Sequence, residues 1–214
     1  LMLTVLIDYD SGNLHSAEKA FQRMAQETGA GEILVSSRPE DVARADRIVL
    51  PGVGGVRECM KELQRLELSQ LVLEASRKVP MLGICLGMQV MLEFSQENGG
   101  VPALGLFPGE VVRFADPQPD AVERLKVPHM GWNRVKQEKP HPVWAGVPDE
   151  SWFYFVHSYF AQPRDPSPVL GSREYTQVFA SAVARENLVA FQFHPEKSQA
   201  LGLTLLANFV NWNP

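Results

Sequence analysis

Residues 80–89 read Pro-Met-Leu-Gly-Ile-Cys-Leu-Gly-Met-Gln. The apolar run 79–84 is typical of a strand buried on both faces, and a helix is predicted to begin at Leu86 and to include the residues up to Glu97. The glycines on either side relieve a tight turn that lifts Cys85 above the end of the sheet, as in a nucleophile elbow. A thiol at a helix N-terminus is favoured as the thiolate. The alternative is that Cys85 is a small buried hydrophobe, the commoner state of a lone cysteine.

The segments around this stretch define the fold class. Short apolar runs alternate with segments of helical spacing in the first half of the chain, which predicts parallel strands with helices on both faces of the sheet. Shorter, alternating segments in the second half predict an antiparallel extension. We therefore predict an open, mostly parallel twisted α/β sheet of flavodoxin-like type, in one domain spanning residues 1–214 and closed by a helix over 201–212. Besides 79–84, the predicted strands are 4–7, 32–35, 47–50, 109–114, 151–160, 177–184 and 188–193, with 38–46 as a connection.

Composition excludes several classes of protein. The 214 residues are 45% hydrophobic and 21% charged, which is enough to build a core without metals or disulfides. Twenty Lys and Arg against 25 Asp and Glu give a net charge of −5 without blocks of one sign, which argues against a nucleic-acid or anionic-membrane binder. The two cysteines cannot form the disulfide framework of secreted proteins, so a cytoplasmic location is expected. The apolar segment 1–7 is far shorter than the roughly 20 residues that span a bilayer.

A second motif, Phe-His-Pro-Glu at 193–196, supplies the base that a cysteine nucleophile needs. Residues i and i+2 of an extended segment point the same way, so His194 and Glu196 are expected to face the carboxyl edge of the sheet, where Cys85 lies. A carboxylate that orients an imidazole, which in turn takes the thiol proton, is a catalytic triad. Taken alone, a His-x-Glu sequence is more often an ordinary surface feature. Here both halves of the predicted triad fall at strand ends of one sheet.

The glycine-rich loop Pro-Gly-Val-Gly-Gly at 51–55 follows the third predicted strand. Acyl transfer needs N–H donors aimed at the developing oxyanion. The N–H groups of Val53 and Leu86 are predicted to supply them. The alternatives are a plain turn or a phosphate-binding loop, although the loop lacks both glycine fingerprints of nucleotide-binding proteins.

Taken together, these motifs resemble class I glutamine amidotransferases. Over essentially its whole length the chain is similar to the glutaminase subunits of imidazole glycerol phosphate synthase. The segments 80–89 and 192–198 are shared broadly by class I enzymes. The closer resemblance to these glutaminase subunits rests on motifs of a narrower group of enzymes. These are 8–9 together with 12–14, 50–54, 127–133 and 154–159.

The resemblance implies hydrolysis of glutamine to glutamate and ammonia, with Cys85 as nucleophile, His194 as proton shuttle and Glu196 as its orienting partner. It implies no cofactor or metal. It also implies a separate (β/α)8-barrel cyclase that uses the ammonia to make imidazole glycerol phosphate and aminoimidazole carboxamide ribotide in histidine biosynthesis. The implied glutamine-binding residues are Gly54, Gln89, Glu97, Ser158 and Tyr159, with Glu97 on the ammonium group. The implied contacts with the cyclase are Asn13, Met130, Trp132 and Lys197.

The resemblance also predicts how the two subunits are coupled. The Val53 N–H is expected to point away from the oxyanion until the cyclase docks, so the free glutaminase is expected to be weak. Three alternatives remain: a stand-alone cysteine amidase or γ-glutamyl hydrolase, a non-catalytic protein used in assembly, and a zinc site at Cys85. The zinc site is disfavoured because no ligand pair has the short spacing typical of such sites.

Overall fold

A computed structural model describes residues 1–10, 12, 14–116 and 125–214. The helices within these residues are α1 (His15–Thr28), α2 (Pro39–Arg44), α3 (Val56–Arg65), α4 (Ser69–Ala75), α5 (Leu86–Gln89) and α6 (Gln199–Val210). The strands are β1 (Leu3–Ile7), β2 (Glu32–Ser36), β3 (Arg47–Leu50), β4 (Met81–Ile84), β5 (Leu92–Ser95), β6 (Val101–Pro102), β7 (Phe107–Arg113), β8 (His129–Gln137), β9 (Ser151–His157), β10 (Tyr159–Pro163), β11 (Val169–Tyr175), β12 (Gln177–Arg185) and β13 (Leu188–Phe191).

Nine of these strands form one sheet in the order β2-β1-β3-β4-β13-β12-β11-β8-β9. The pairs from β2 to β13 are parallel, and those from β13 to β9 are antiparallel. The parallel part has the strand order of flavodoxin-like folds, in which ligands bind at the carboxyl ends of the strands. The predicted parallel sheet with an antiparallel extension is confirmed, and the extension adds four strands to the five of the parallel part.

Two apolar layers cover the faces of this sheet. Helices α1 and α6 pack on one face, where Phe21 and Phe209 are fully buried. Helices α2, α3 and α4 and the second sheet cover the other face, around Leu63, Val72 and Phe107. The β1 sequence Leu-Thr-Val-Leu-Ile is buried along its whole length because it lies between both layers. No helix among the described residues is long and apolar enough to cross a membrane.

The helix predicted from Leu86 through Glu97 is wrong beyond its first turn. Helix α5 ends at Gln89, and β5 begins three residues later in a second sheet with the order β10-β7-β5-β6. Residues 90–92 are fully buried, so the stretch has no polar face from which a helical period could be recognised. A short, wholly apolar run does not distinguish a buried helix from a strand. Pairing with β7 decides the outcome.

The single strand predicted over 151–160 is also wrong, because the chain changes sheets within it. Strand β9 pairs with β8 in the large sheet, whereas β10 pairs with β7 in the small one. Ser158 lies at the corner between them. Strands β8 and β11 and helix α2 were not predicted as elements, whereas the closing helix is confirmed as α6.

Candidate active site

Cys85 lies at the strained turn between β4 and α5. Its φ of 54° and ψ of −105° fall outside the regions that most L-residues adopt. Its N–H donates to the Phe191 carbonyl at 2.7 Å, which ties the turn to β13. A Cβ added to Gly83 would lie 2.7 Å from the Gly87 carbonyl oxygen, and one added to Gly87 would lie 1.8 Å from that of Leu50. The elbow therefore requires glycine at both positions. Since α5 has only four residues, it adds less dipole than the long helix predicted from sequence.

His194 and Glu196 follow β13 on a tight turn and form a buried pair. Nδ1 of His194 lies 2.6 Å from Oε1 of Glu196, and the two side chains are 2% and 6% exposed. The Ser198 hydroxyl donates to the His194 carbonyl at 2.6 Å and accepts the Tyr154 N–H at 3.0 Å. These bonds fasten the turn to β9. His194 is therefore held both through its ring, by Glu196, and through its backbone, by Ser198.

The electrostatics of His194 favour its charged form. Burial lowers its pKa, but hydrogen bonding and charge interactions with Cys85 and Glu196 outweigh burial and raise the pKa to about 10. Nδ1 is bonded to Glu196, which leaves Nε2 for Cys85. Among the described residues this buried Nε2 has no well-formed hydrogen bond. The imidazole is thus a proton donor and acceptor beside the sulfur, held in one orientation by a carboxylate.

Cys85 opens onto a cavity of about 440 Å³, within the range of small-molecule sites. The residue is 5% exposed, and its sulfur accepts from Nε2 of Gln192 at 3.7 Å. No local pattern around Gln192 predicts this contact, because it depends on how β13 pairs with β4. The cavity brings together all the predicted substrate and oxyanion residues, Val53, Gly54, Leu86, Gln89, Glu97, Ser158 and Tyr159.

Glu97 is a buried carboxylate in the wall of this cavity. It is 7% exposed, and its Oε1 accepts the Arg57 N–H at 3.0 Å. The Arg57 guanidinium donates instead to the Asn98 and Gly100 carbonyls. In the part of the chain that the structure describes, Glu97 forms no ion pair. A buried carboxylate without a cation is unfavourable, so this wall suits the ammonium group of a ligand.

The glycine-rich loop does not form an oxyanion hole in this conformation. The Leu86 N–H, one of the two predicted donors, is bonded to the Gly52 carbonyl at 3.2 Å. Gly52 and Gly54 have φ values of 129° and 113°, which other residues rarely adopt, and the Tyr9 hydroxyl holds the preceding Pro51 carbonyl. In this state the Leu86 N–H is not free to act as a donor, because the Gly52 carbonyl accepts it, and its role in an oxyanion hole stays a prediction.

The predicted partner residues lie near this edge, as far as the structure describes them. Met130 and Trp132 on β8 are 63% and 45% exposed. Lys197 is exposed next to Glu196 and lines a smaller cavity of about 190 Å³ behind the loop. Asn13 lies outside the described residues. Trp152 is half exposed, with the Arg134 guanidinium 4.9 Å from its ring.

The remaining cysteine and histidines are placed as follows. Cys59 is buried in α3, away from the turn, and burial raises the pKa of its thiol to about 12. His129 is 3% exposed and bonded to the buried His157. Sequence could not detect this pair, because it arises from the register of two strands. Among the described residues, no three His, Cys, Asp or Glu side chains cluster as metal ligands.

Comparison with known proteins gives a consistent set of relatives. The family profile "Glutamine amidotransferase class-I" matches residues 5–212. The protein "Imidazole glycerol phosphate synthase subunit HisH" of Methylococcus capsulatus is 54% identical over 211 residues, which are 98% of this chain and 96% of the relative. Subunit HisH 1 of Pseudomonas aeruginosa is 51% identical over 214 residues, which are 100% of this chain and 99% of the relative.

Solved structures agree on the fold at low sequence identity. A glutamine amidotransferase of Thermotoga maritima is 18% identical, with a TM-score of 0.61 over 91% of this chain and 76% of its own. The glutaminase domain of Trypanosoma brucei CTPS with bound acivicin is 15% identical, with a TM-score of 0.64 over 100% of this chain and 96% of its own. At these identities the likeness supports the architecture alone.

Proposed function

Because the chain belongs to the class-I glutamine amidotransferases, among the HisH subunits of imidazole glycerol phosphate synthase, we propose that Cys85 hydrolyses the side-chain amide of glutamine. The observation that carries this proposal is that Cys85, open to a cavity of small-molecule size, is tied to the end of β13, the strand from which the buried His194–Glu196 couple follows. The whole chain, residues 1–214, would act as one glutaminase domain that supplies ammonia to histidine biosynthesis.

The chemistry follows from the protonation of the pair. With His194 as imidazolium, Cys85 attacks the amide carbon as a thiolate, and Nε2 of His194 gives its proton to the departing nitrogen, which leaves as ammonia. The γ-glutamyl group then remains on sulfur as a thioester. A water molecule gives a proton back to Nε2 and attacks the same carbon, which releases glutamate and the thiolate. Glu196 keeps Nδ1 protonated throughout, so that Nε2 is the nitrogen that exchanges protons.

Substrate orientation is assigned to the walls of the cavity. The uncompensated carboxylate of Glu97 would pair with the α-ammonium group of glutamine. Gln89 uses its amide nitrogen for the Tyr159 carbonyl and for Gln192, at 3.0 and 3.1 Å, so it would contact the substrate through its amide oxygen. Gly54 and the corner at Ser158 complete the binding surface.

The oxyanion hole would be assembled by rotation of one peptide. The Gly52 carbonyl and the Val53 N–H belong to the same planar unit and point in opposite directions. Turning this unit removes the carbonyl from the Leu86 N–H and brings the Val53 N–H towards the cavity, so one movement supplies both donors. Glycines at 52 and 54 make the rotation sterically possible. The state described here would then be the resting enzyme.

Turning the loop is assigned to a partner, which we propose is the (β/α)8-barrel cyclase of a heterodimer. Val53 is 43% exposed. The side chains of Met130, Trp132 and Lys197 are also exposed on this edge, so a surface docked there would contact the loop directly. The two free cysteines suit a reducing compartment, and we propose a cytoplasmic location.

The test is to assay the purified chain with and without the cyclase subunit, using glutamine or free ammonia as nitrogen source. We expect weak glutaminase activity alone and strong activity in the complex. Cys85→Ala should abolish the glutamine-dependent reaction and leave the ammonia-dependent reaction intact. Undiminished glutamine hydrolysis by Cys85→Ala would refute the nucleophile. Equal turnover with and without the cyclase would refute the resting state.

A further inference from the structure

Two buried histidines lie behind the glutamine cavity and take no part in the chemistry described above. His129 on β8 and His157 on β9 are directly opposed in the antiparallel pair. They are 3% and 6% exposed, and Nδ1 of His129 lies 3.0 Å from Nε2 of His157. His157 also lines the cavity, whereas His129 does not belong to its lining.

Only one arrangement of protons satisfies the neutral pair. Nδ1 of His157 lies 2.8 Å from the Tyr159 carbonyl and must donate to it, so Nε2 of His157 accepts from Nδ1 of His129. Nε2 of His129 then accepts from the amide nitrogen of Asn133 at 3.3 Å. The orientation of that amide is fixed independently, because its oxygen accepts the Arg134 N–H at 2.8 Å. Every hydrogen bond in this series therefore has a defined direction.

The inner end of this series of hydrogen bonds reaches the nucleophile. The Tyr159 carbonyl accepts both from His157 and from Gln89, so both of its lone pairs are used. Gln89 donates to Gln192, and Gln192 donates to the sulfur of Cys85. Loss of the bond from His157 would release the Tyr159 carbonyl at this corner of the cavity wall. The Gln89 side chain, which donates to the same carbonyl, would then lose its fixed anchor.

The surroundings keep both rings neutral and in place. The His129 ring is stacked on Phe155 and on Tyr175, with centroid distances of 4.8 and 3.9 Å. Burial lowers the pKa of His129 to about 4 and that of His157 to about 3. A neutral His157 also avoids repulsion with the imidazolium of His194, whose charge acts on it.

The outer end of the series is on the strand proposed to meet the partner. Side chains alternate along β8, so His129 points inward while Met130 next to it is 63% exposed. The same strand therefore carries a docking residue on one face and a cavity-supporting histidine on the other.

We propose that His129 and His157 are positioning residues of the glutaminase: their bond fixes the Tyr159 carbonyl and Gln89, and so holds the glutamine cavity in its binding geometry. This role rests on the proposed function. It assigns the pair to substrate affinity rather than to the proton transfers at Cys85.

The test compares two amides at one position, His129→Asn and His129→Gln, in the complex with the cyclase subunit. Only Asn places an amide N–H where Nδ1 stood. We expect Gln to raise KM for glutamine about tenfold, as when a buried acceptor loses its donor, with kcat changed less than about threefold. Asn should stay within about twofold of the wild-type KM. His141→Gln is the matched control: it removes a hydrogen bond to the Val143 N–H away from the cavity, so it should lower thermal stability without changing KM.

Equal KM values for the two amides at position 129, or a KM increase in the control as large as that of His129→Gln, would overturn the positioning role. If His129→Gln does not fold, the same comparison at position 157 decides, since Asn there keeps the donor to Tyr159 and Gln does not. A wild-type complex that hydrolyses no glutamine would refute the proposed function, and the positioning role with it. Glutamine hydrolysis with indistinguishable amide variants would refute the positioning role alone.

Discussion

Replacing Glu196 with Gln removes the charge that orients His194 while keeping the shape of the side chain. The bond it changes joins two buried groups at 2.6 Å. A hydrogen bond to a charged group contributes roughly 1.5–3 kcal/mol, and each 1.4 kcal/mol is about tenfold in rate. A glutamine amide can also donate to Nδ1, which selects the wrong tautomer; loss of the carboxylate in a serine triad lowers kcat about 10⁴-fold. We therefore expect kcat for glutamine to fall between about tenfold and 10⁴-fold, the lower end from loss of the bond and the upper end from the wrong tautomer.

The same substitution changes how stability depends on pH. The pKa of His194 is raised to about 10, so the pair stabilises the fold fully below the usual histidine value of about 6.5. This contribution is lost as the pH rises through about 10. In Glu196→Gln the pKa of His194 should fall, and the loss of stability between neutral and alkaline pH should be smaller than in the wild type.

The assay is glutaminase turnover of the complex with the cyclase, together with NMR titration of His194 and thermal unfolding across the pH range. Ammonia-dependent turnover should be unchanged, because that reaction does not use the triad. Glu74→Gln, at an exposed position of α4, is the matched control and should behave as the wild type. A variant that keeps more than a third of the activity, or an unchanged pKa of His194, would refute the assigned role of Glu196.

Three further predictions concern the turn, the cavity and the docking face. Gly87→Ala should destabilise the fold by several kcal/mol, because its Cβ would lie 1.8 Å from the Leu50 carbonyl oxygen. The measurement is the yield of soluble protein and the Tm, and a wild-type Tm would contradict the geometry of the elbow. Glu97→Gln should raise KM for glutamine at least about tenfold with a smaller change in kcat, as loss of ground-state binding predicts, and an unchanged KM would remove it from the site. Trp132→Ala should weaken cyclase binding about tenfold or more in calorimetry, as loss of an interface tryptophan does. Val178 is exposed on β12 and serves as the control, so Val178→Ala should leave binding unchanged. Equal effects of the two substitutions would argue against the docking face.

The local part of the site was predictable because each signal lies within a few residues. The strand before Cys85, the flanking glycines and the spacing of His194 and Glu196 depend on sterics and on the direction of side chains along an extended chain. Where a segment is buried all round, as over 90–92, sequence lacks the polar positions that reveal a period, and the predicted helix was wrong.

Sequence by itself determined the α/β architecture, the residues of the predicted triad and the family to which they point, since these depend on short-range pattern and residue type. The tertiary structure alone decided that His129 is hydrogen-bonded to His157 and that the Gly52 carbonyl accepts the Leu86 N–H. It also decided that the chain changes sheets at Ser158. Each of these contacts joins segments far apart in the chain, so it depends on which strands pair and in what register. That choice is made by packing of the whole molecule, and no local stretch of sequence encodes it.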